Sequence, residues 1–256
     1  MTEAAGLHRT RSLSVSIGLA MLAQLRQTLR ALERPAGIDS DPGSVTLAVP
    51  AIDGVLGGGL ARGALHEIAA AGEAHLAAAT GFALVLSARA ARKSTIWIAE
   101  DMALAESGAP YGPGLDAFGL GPERLLTVAA SRSRDLLWAM EEAVRCRAVA
   151  TAIGELRHGE IDMVAVRRLS LAAAESGALA LLLRASPPDD ASTAATRWIV
   201  SAAPHECFAA RLTRNRRGPL GAWILQWSDT DERFVLAAHA QPVAAPAADR
   251  PHRKIA

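Results

Sequence analysis

The chain has 256 residues, of which 50% are apolar and 21% charged, and its formal net charge at pH 7 is +1. A chain of this length buries enough surface to fold without disulfides or a structural metal, and its near-zero charge excludes a histone-like protein that coats a polyanion. The two cysteines, Cys146 and Cys207, lie far apart and outside any C-x-x-C spacing, which excludes a disulfide scaffold and a cysteine zinc site. We therefore expect a cytoplasmic protein in a reducing compartment.

An amphipathic helix is predicted near the N-terminus, at residues 19–34. Its leucines recur at spacings of three and four, which is the pattern of a helix with one apolar face. These leucines are Leu22, Leu25, Leu29 and Leu32. The stripe has two interpretations, an interface helix that packs on another subunit or a helix that packs on its own domain. The apolar stretch at residues 13–25 is too short for a membrane span, so no membrane association is predicted.

Strand-like and helix-like segments alternate through a predicted core domain at residues 45–240, which follows an N-terminal helix and linker at residues 1–44. This alternation predicts an α/β fold in which helices flank a mainly parallel sheet. The predicted strands are 45–49, 64–68, 94–99, 125–129, 148–153 and 178–184, and the predicted helices are 74–92, 101–107, 132–145 and 162–176. Four further segments, 197–201, 208–213, 223–228 and 233–237, predict antiparallel edge strands. Residues 241–256 predict a disordered tail.

The loop after the first core strand is where a nucleotide-binding α/β protein would hold phosphates. Residues 69–76 read AAAGEAHL and lack the G-x-x-x-x-G-K-[ST] pattern. The loop offers neither a lysine for the phosphates nor a Ser or Thr for magnesium, and Glu73 would repel a phosphate. The glycine run at residues 57–59 precedes the strand, and it predicts a tight turn with positive φ.

Three segments resemble landmarks of RecA-type recombinases and occur in the same order. Residues 52–68 resemble the approach to the Walker A loop, and residues 98–101 resemble the strand end whose glutamate activates the attacking water. Residues 211–219 resemble the late strand whose basic-Asn-basic triplet reaches a neighbouring subunit's nucleotide. With its degenerate loop, short leading helix and length, the chain most closely resembles the ImuA family, RecA-like (SulA-like) proteins of bacterial mutagenesis cassettes.

This resemblance implies an accessory role in damage-induced (SOS), error-prone translesion DNA synthesis. The partners it implies are an ImuB-type polymerase-like protein and a DnaE-type error-prone polymerase, while RecA and a weak DNA contact stay open as further partners. The residues that would contact a partner or nucleic acid are the arginines of the late strand, Arg211, Arg214, Arg216 and Arg217. Their alternative interpretation is exposed charge that protects an edge strand from aggregation.

Glu100 is the single candidate catalytic residue, because it corresponds in position to the RecA glutamate. Its alternative interpretation is a solvated carboxylate in front of the helix that begins at Asp101. Where RecA-type proteins hold magnesium through an aspartate, this chain has Gly154 and Glu155. We therefore expect a protein that is not an enzyme and that needs no nucleotide cofactor. The histidines show no metal-binding spacing, so no metal is expected.

Two alternative functions stay open at this stage. One is an active ATP-dependent, DNA-binding RecA paralogue that uses Glu100 and an unconventional phosphate loop. The other is a SulA-like inhibitor of cell division, which would need neither nucleotide nor DNA.

Overall fold

The structure is a computed structural model, and it describes residues 43–90, 94–157, 161–189 and 192–237. The predicted interface helix with Leu22, Leu25, Leu29 and Leu32 lies outside the described residues, as does the predicted tail at 241–256. The domain limits after residues 44 and 240 therefore stay predictions.

Strands and α-helices alternate along the described part of the chain. The strands are β1 (Ser44–Val45), β2 (Leu60–Ala61), β3 (Ala64–Ala70), β4 (Ser94–Glu100), β5 (Leu125–Ala130), β6 (Val149–Leu156), β7 (Leu179–Arg184), β8 (Thr196–Ala203), β9 (Cys207–Asn215), β10 (Gly221–Ser228) and β11 (Arg233–Leu236). The α-helices are α1 (Pro50–Leu56), α2 (Leu76–Ala90), α3 (Asp101–Ser107), α4 (Gly112–Ala117), α5 (Ser133–Arg145) and α6 (Met163–Ser176).

Nine of these strands form one sheet in the order β11-β10-β9-β8-β3-β7-β6-β4-β5, and β1 and β2 pair separately. The six strands from β8 to β5 are parallel, whereas β9, β10 and β11 add to the β8 side with antiparallel pairing. The predicted fold class, a mainly parallel sheet with helices and antiparallel C-terminal edge strands, is confirmed.

Helices cover both faces of the parallel part of the sheet, which explains its unbroken apolar strands. Every residue of β6 is buried, as expected for a strand between two helical layers. On one face, Phe82 of α2 packs against Trp198 and Phe234 of the sheet. The ring centroids are 5.5 Å apart in both pairs. On the other face α5 and α6 form the second apolar layer. None of the described helices is long and apolar enough to cross a bilayer.

Several predicted elements have different limits in the structure. The strand predicted at 45–49 stops at Val45, because Ala48 has a φ of 59°, outside the strand region. Helix α1 follows instead, with Pro50 at its start and Gly57 in the left-handed conformation at its end. A short helix, α4, lies within the Gly- and Pro-rich segment 108–121, where no element is predicted. Strand β6 extends to Leu156, past the predicted end at residue 153.

The glycine run before β2 is a tight turn, as predicted. Gly57, Gly58 and Gly59 all have positive φ, of 74°, 110° and 126°. A Cβ atom at Gly59 would clash with the backbone of Val45 and Thr46. This position therefore requires glycine for both its conformation and its close backbone approach.

Candidate functional site

The loop between β3 and α2 occupies the place of a phosphate loop at the carboxyl edge of the parallel strands. Its first N–H group, at Ala71, donates to Val200 O in β8 at 2.8 Å, and His75 N donates to Gly72 O at 2.9 Å. Helix α2 begins with Leu76 and Ala77, so its first turn presents methyl and isobutyl groups where a phosphate loop has an ammonium and a hydroxyl. Neither of these two polar side chains stands at the start of α2.

Glu155 is held on both carboxylate oxygens by donors of its own chain. Oε1 accepts from Arg157 Nε at 2.7 Å and pairs with Arg157 Nη2 at 2.6 Å, while Oε2 accepts from Trp97 Nε1 at 3.1 Å. The side chains of Glu155 and Arg157 are only 8% and 11% exposed. The carboxylate that stands in the magnesium-binding position is thus a member of a buried ion pair.

Arg157 extends this network to the end of α3. Its Nη1 donates to Ser107 Oγ at 2.7 Å and lies 3.5 Å from Glu106 Oε2. One guanidinium therefore joins the end of β6 to the last turn of α3. The Glu155–Arg157 pair could be predicted from the sequence, because residues two apart share one side of an extended chain. The contacts with Trp97 and Ser107 could not, because these residues are distant in the sequence.

Glu100 lies at the end of β4, where the resemblance placed a catalytic glutamate. It is 9% exposed, so the alternative of a solvated carboxylate is wrong. Its Oε2 accepts a hydrogen bond from the backbone N–H of Arg157 at 3.2 Å. The next residue, Asp101, accepts from Ser131 Oγ at 2.9 Å. Glu100 is thus fixed by the same segment that neutralises Glu155.

These groups do not fit a magnesium-bound nucleoside triphosphate. Binding it would require a cation for the β- and γ-phosphates and an oxygen ligand available to the metal. The first turn of α2 supplies neither, and the nearest carboxylate in the magnesium position, Glu155, is already neutralised by Arg157. Among the described residues, no group of three His, Cys, Asp or Glu side chains could hold a metal ion.

Three of the four predicted contact arginines lie at the amino end of the parallel strands, opposite the end that carries Glu100. Strand β9 runs antiparallel to β8, so its end, with Arg214, is next to the start of β8, where Arg214 is opposite Arg197. Arg211, Arg216 and Arg217 are exposed, whereas Arg214 is partly buried and its Nε donates to Ala194 O at 3.0 Å. The structure places Arg214, Arg216 and Arg217 at one end of β9, away from Glu100, whereas Arg211 lies in the middle of that strand, opposite Ile199.

Arg214 and Arg216 do not lie on one side of a strand, as simple alternation along β9 would place them. Strand β9 ends at Asn215, so Arg216 lies beyond it and its backbone N–H bonds Ala195 O at 3.0 Å. Asn215 closes the turn that follows, because its side chain donates to Val55 O and Pro219 O and accepts from Arg217 N. The asparagine of the triplet therefore has a structural role within this chain.

A buried ion pair fixes the segment between β7 and β8. Glu67, in the middle of β3, accepts from Arg197 Nε at 2.5 Å and from Ser192 Oγ at 2.7 Å. The guanidinium also approaches Pro188 O at 3.5 Å, and Ala195 N donates to Leu65 O at 2.8 Å. Both described parts of this connection, residues 185–189 and 192–195, are thus tied to the sheet.

His66 lies on the other face of β3 and is completely buried. A carbonyl oxygen can only accept, so His66 Nε2 must carry the proton that bonds Ala61 O at 2.9 Å. Nδ1 therefore accepts from the Thr196 hydroxyl at 2.8 Å, and Thr196 in turn accepts from Trp198 Nε1 at 3.0 Å. Burial lowers the pKa of His66 to about 4, so the ring is neutral at physiological pH.

A surface cleft of about 380 Å³ opens beside the first turn of α2. It is bordered by α2, α4, the hairpin that joins β8 and β9, and the end of β10. We call it the acidic cleft, because the only charged residues that line it are Glu206 and Asp229. The residues that line it are Ala77, Ala78, Ala117, Phe118, Ala202, Ala203, Glu206, Cys207, Phe208, Gln226, Trp227 and Asp229. Sequence reasoning missed this site, because its walls come from four separate segments.

No protein-family profile matches the sequence. The chain is similar to Protein ImuA from two strains of Caulobacter vibrioides, with 28% identity over 218 residues in each case. The aligned region covers 75% of this chain and 86% of the relative. The fold is similar to the crystal structure of the RadB recombinase, with a TM-score of 0.53 and 14% identity, covering 72% of this chain and 96% of RadB. The sequence similarity and the shared fold together support the resemblance of this chain to the ImuA family, with a RecA-like fold.

Proposed function

We propose that this protein is a non-catalytic accessory factor in damage-induced, error-prone translesion DNA synthesis in the bacterial cytoplasm. It acts by binding polymerase components, an ImuB-type polymerase-like protein and a DnaE-type polymerase. The similarity to Protein ImuA supports the pathway. The exposed arginines at the end of β9, Arg216 and Arg217, are the proposed contact residues on this chain, together with Arg211.

The observation that carries the non-catalytic role is that both carboxylate oxygens of Glu155 already accept hydrogen bonds within the chain. A magnesium site needs a carboxylate oxygen that is free to hold the metal or its water. One oxygen of Glu155 accepts from Arg157 and the other accepts from Trp97. Separating Glu155 from Arg157 would leave a buried charge without compensation, so the pair does not open easily to a metal. The absent lysine and hydroxyl at the start of α2 point the same way.

Equilibrium binding of a fluorescent ATP analogue with magnesium tests this part of the proposal. We expect no saturable binding even at protein concentrations that detect millimolar affinity, with a RecA-type ATPase as the positive control. Saturable binding that ATP displaces would contradict a nucleotide-free role and favour the active RecA paralogue. In that case, a Glu100→Gln variant that binds the analogue but does not hydrolyse ATP would assign Glu100 as catalytic.

Binding of the purified partners tests the other part. We expect the chain to form a complex with the ImuB-type protein, measured by isothermal titration calorimetry. The complex should form equally well with and without ATP, because the proposed role uses no nucleotide. Absence of binding to both the ImuB-type protein and the DnaE-type polymerase would contradict the adaptor function.

A further inference from the structure

The acidic cleft combines a rigid aromatic wall with carboxylates at its rim. Trp227 is fixed in place by a hydrogen bond of 2.7 Å from its Nε1 to Ala117 O. Phe118 packs edge-on against Trp227 and Phe208, with ring centroids 5.9 and 6.4 Å apart. These contacts are all made within the chain itself, so an apolar group would pack against a wall that the fold already orders.

Small side chains give the cleft its open volume. The side of α2 that faces it carries Ala77 and Ala78, and the end of β8 contributes Ala202 and Ala203. A volume of about 380 Å³ is at the lower end of the range for ligand pockets. It suits one or two large side chains of a docked segment better than an extended cofactor.

The charged residues that line the cleft are all acidic. Glu206 and Asp229 are exposed at its rim, and no Lys or Arg is among its lining residues. Glu206 belongs to a hairpin in which both His205 and Glu206 have positive φ, of 59° and 56°. Positive φ is common at the central residues of a tight β-hairpin turn, and this turn places Glu206 at the rim of the cleft. The cleft therefore repels anions and favours a cation beside an apolar group.

We propose that the acidic cleft binds a segment of the polymerase-like partner in which an aromatic or long aliphatic side chain is next to a lysine or arginine. The apolar side chain packs against Trp227 and Phe118, and the cation faces Glu206 and Asp229. This inference rests on the proposed adaptor function for the identity of the partner. The ligand chemistry rests on the cleft alone and is tested separately.

A matched pair of small probes tests the ligand chemistry without any partner. Dansylcadaverine carries an aromatic group and a cationic amine, whereas dansylglycine carries the same aromatic group and a carboxylate. We expect the cationic probe to bind the full chain more tightly by about fivefold or more, because it adds one or two exposed charge pairs. Equal affinities, or tighter binding of dansylglycine, would overturn the proposal.

Three variants test whether dansylcadaverine binds in the acidic cleft. Ala202→Trp fills the cleft from an exposed position and should abolish dansylcadaverine binding. The matched control is Ala222→Trp, because Ala222 is exposed in β10 but does not line the cleft. The Glu206→Gln/Asp229→Asn variant keeps the shape and should remove the preference for the cation. Unchanged probe binding in Ala202→Trp would place the probe elsewhere and overturn the site.

The same variants then test the partner. Ala202→Trp should weaken binding of the ImuB-type protein at least tenfold in calorimetry, while Ala222→Trp binds like the natural chain. If the natural chain binds the partner and Ala202→Trp binds it equally well, the cleft is not the docking site and the inference is wrong. If the natural chain binds no partner at all, the adaptor function fails, while the probe measurements still decide whether the cleft selects apolar cations.

Discussion

His66 shows how strongly one buried side chain can link the stability of this protein to pH. The ring is neutral in the folded chain, with its proton on Nε2 and its pKa lowered to about 4 by burial. In the unfolded chain the same ring has an ordinary pKa of about 6.5. Because the unfolded state binds the proton first as pH falls, stability is lost between about pH 6.5 and 4.

We expect the free energy of unfolding to fall by about 2 kcal/mol between pH 7.5 and 5.0 from this residue alone. Urea denaturation at the two pH values measures the change. The His66→Gln variant does not titrate, so its pH dependence over this range should be smaller by that amount. A variant with the same pH dependence as the natural chain would show that His66 is not the group responsible.

Arg157 is the second residue whose removal should have a large effect. The Arg157→Ala variant leaves the buried Glu155 carboxylate without its cation, and we expect the free energy of unfolding to fall by about 3 to 5 kcal/mol. Adding Glu155→Gln removes the uncompensated charge and should restore part of the loss. Thermal and urea denaturation of the two variants measure both effects. A loss below about 1 kcal/mol for Arg157→Ala would contradict the buried pair.

At the scale of the element, the turn after helix α1 requires a glycine, whereas a glycine inside α1 can be replaced by alanine. Gly59 has a φ of 126°, and a Cβ there would meet the backbone of Val45, so Gly59→Ala should destabilise the fold by about 1 to 3 kcal/mol. Gly54 lies inside α1, and a Cβ there meets nothing within 4 Å. Gly54→Ala is the matched control and should raise stability by about 0.4 to 1 kcal/mol. Urea denaturation measures both changes, and equal effects would contradict the assigned conformations.

The elements also show which parts of the fold the sequence could predict. The long apolar strands and α2, α5 and α6 follow from composition and periodicity, so the parallel sheet was predictable. Helix α1 was not, although Pro50 at its start and Gly57 at its end are start and stop signals. It has seven residues, which is too short for helical periodicity to be visible. Helix α4 was hidden by the Gly and Pro residues that surround it.

The candidate site was less predictable than the fold. The missing lysine and hydroxyl at the start of α2 can be read directly from residues 69–77. The role of Glu155 depends on Trp97, in β4, and on Ser107, at the end of α3, which holds its partner Arg157. The acidic cleft likewise depends on four segments that meet only in the folded chain. Sequence patterns show what a loop lacks more readily than which distant groups fill its place.

At the scale of the whole molecule, a net charge of +1 conceals a separation of charge along the strands. The carboxyl edge of the parallel strands carries Glu206 and Asp229 at the acidic cleft. The amino edge carries Arg216 and Arg217, both exposed, beside the partly buried Arg214. Since β8 spans eight residues from one edge to the other, the two charged ends are separated by about 25 Å.

We expect the Arg216→Ala/Arg217→Ala variant to weaken binding of the ImuB-type protein about threefold to tenfold at low ionic strength. The difference should disappear at about 1 M salt, where the Debye length is about 3 Å. The matched control is Arg134→Ala/Arg167→Ala, which removes two exposed arginines of α5 and α6. Calorimetric titrations at the two salt concentrations provide the measurement. Loss of salt-sensitive DNA binding with unchanged partner binding would assign these arginines to nucleic acid instead.

The two charged ends face away from each other, so a ligand at one of them does not block the other. A molecule built in this way can hold two segments at once, and each bound segment keeps its parent protein within reach of the second contact. The second contact is then made at the high effective concentration set by the tether, and weak individual affinities combine into strong avidity. Because both ends are proposed to contact the ImuB-type protein, loss of either one removes this avidity and leaves the weak affinity of a single contact.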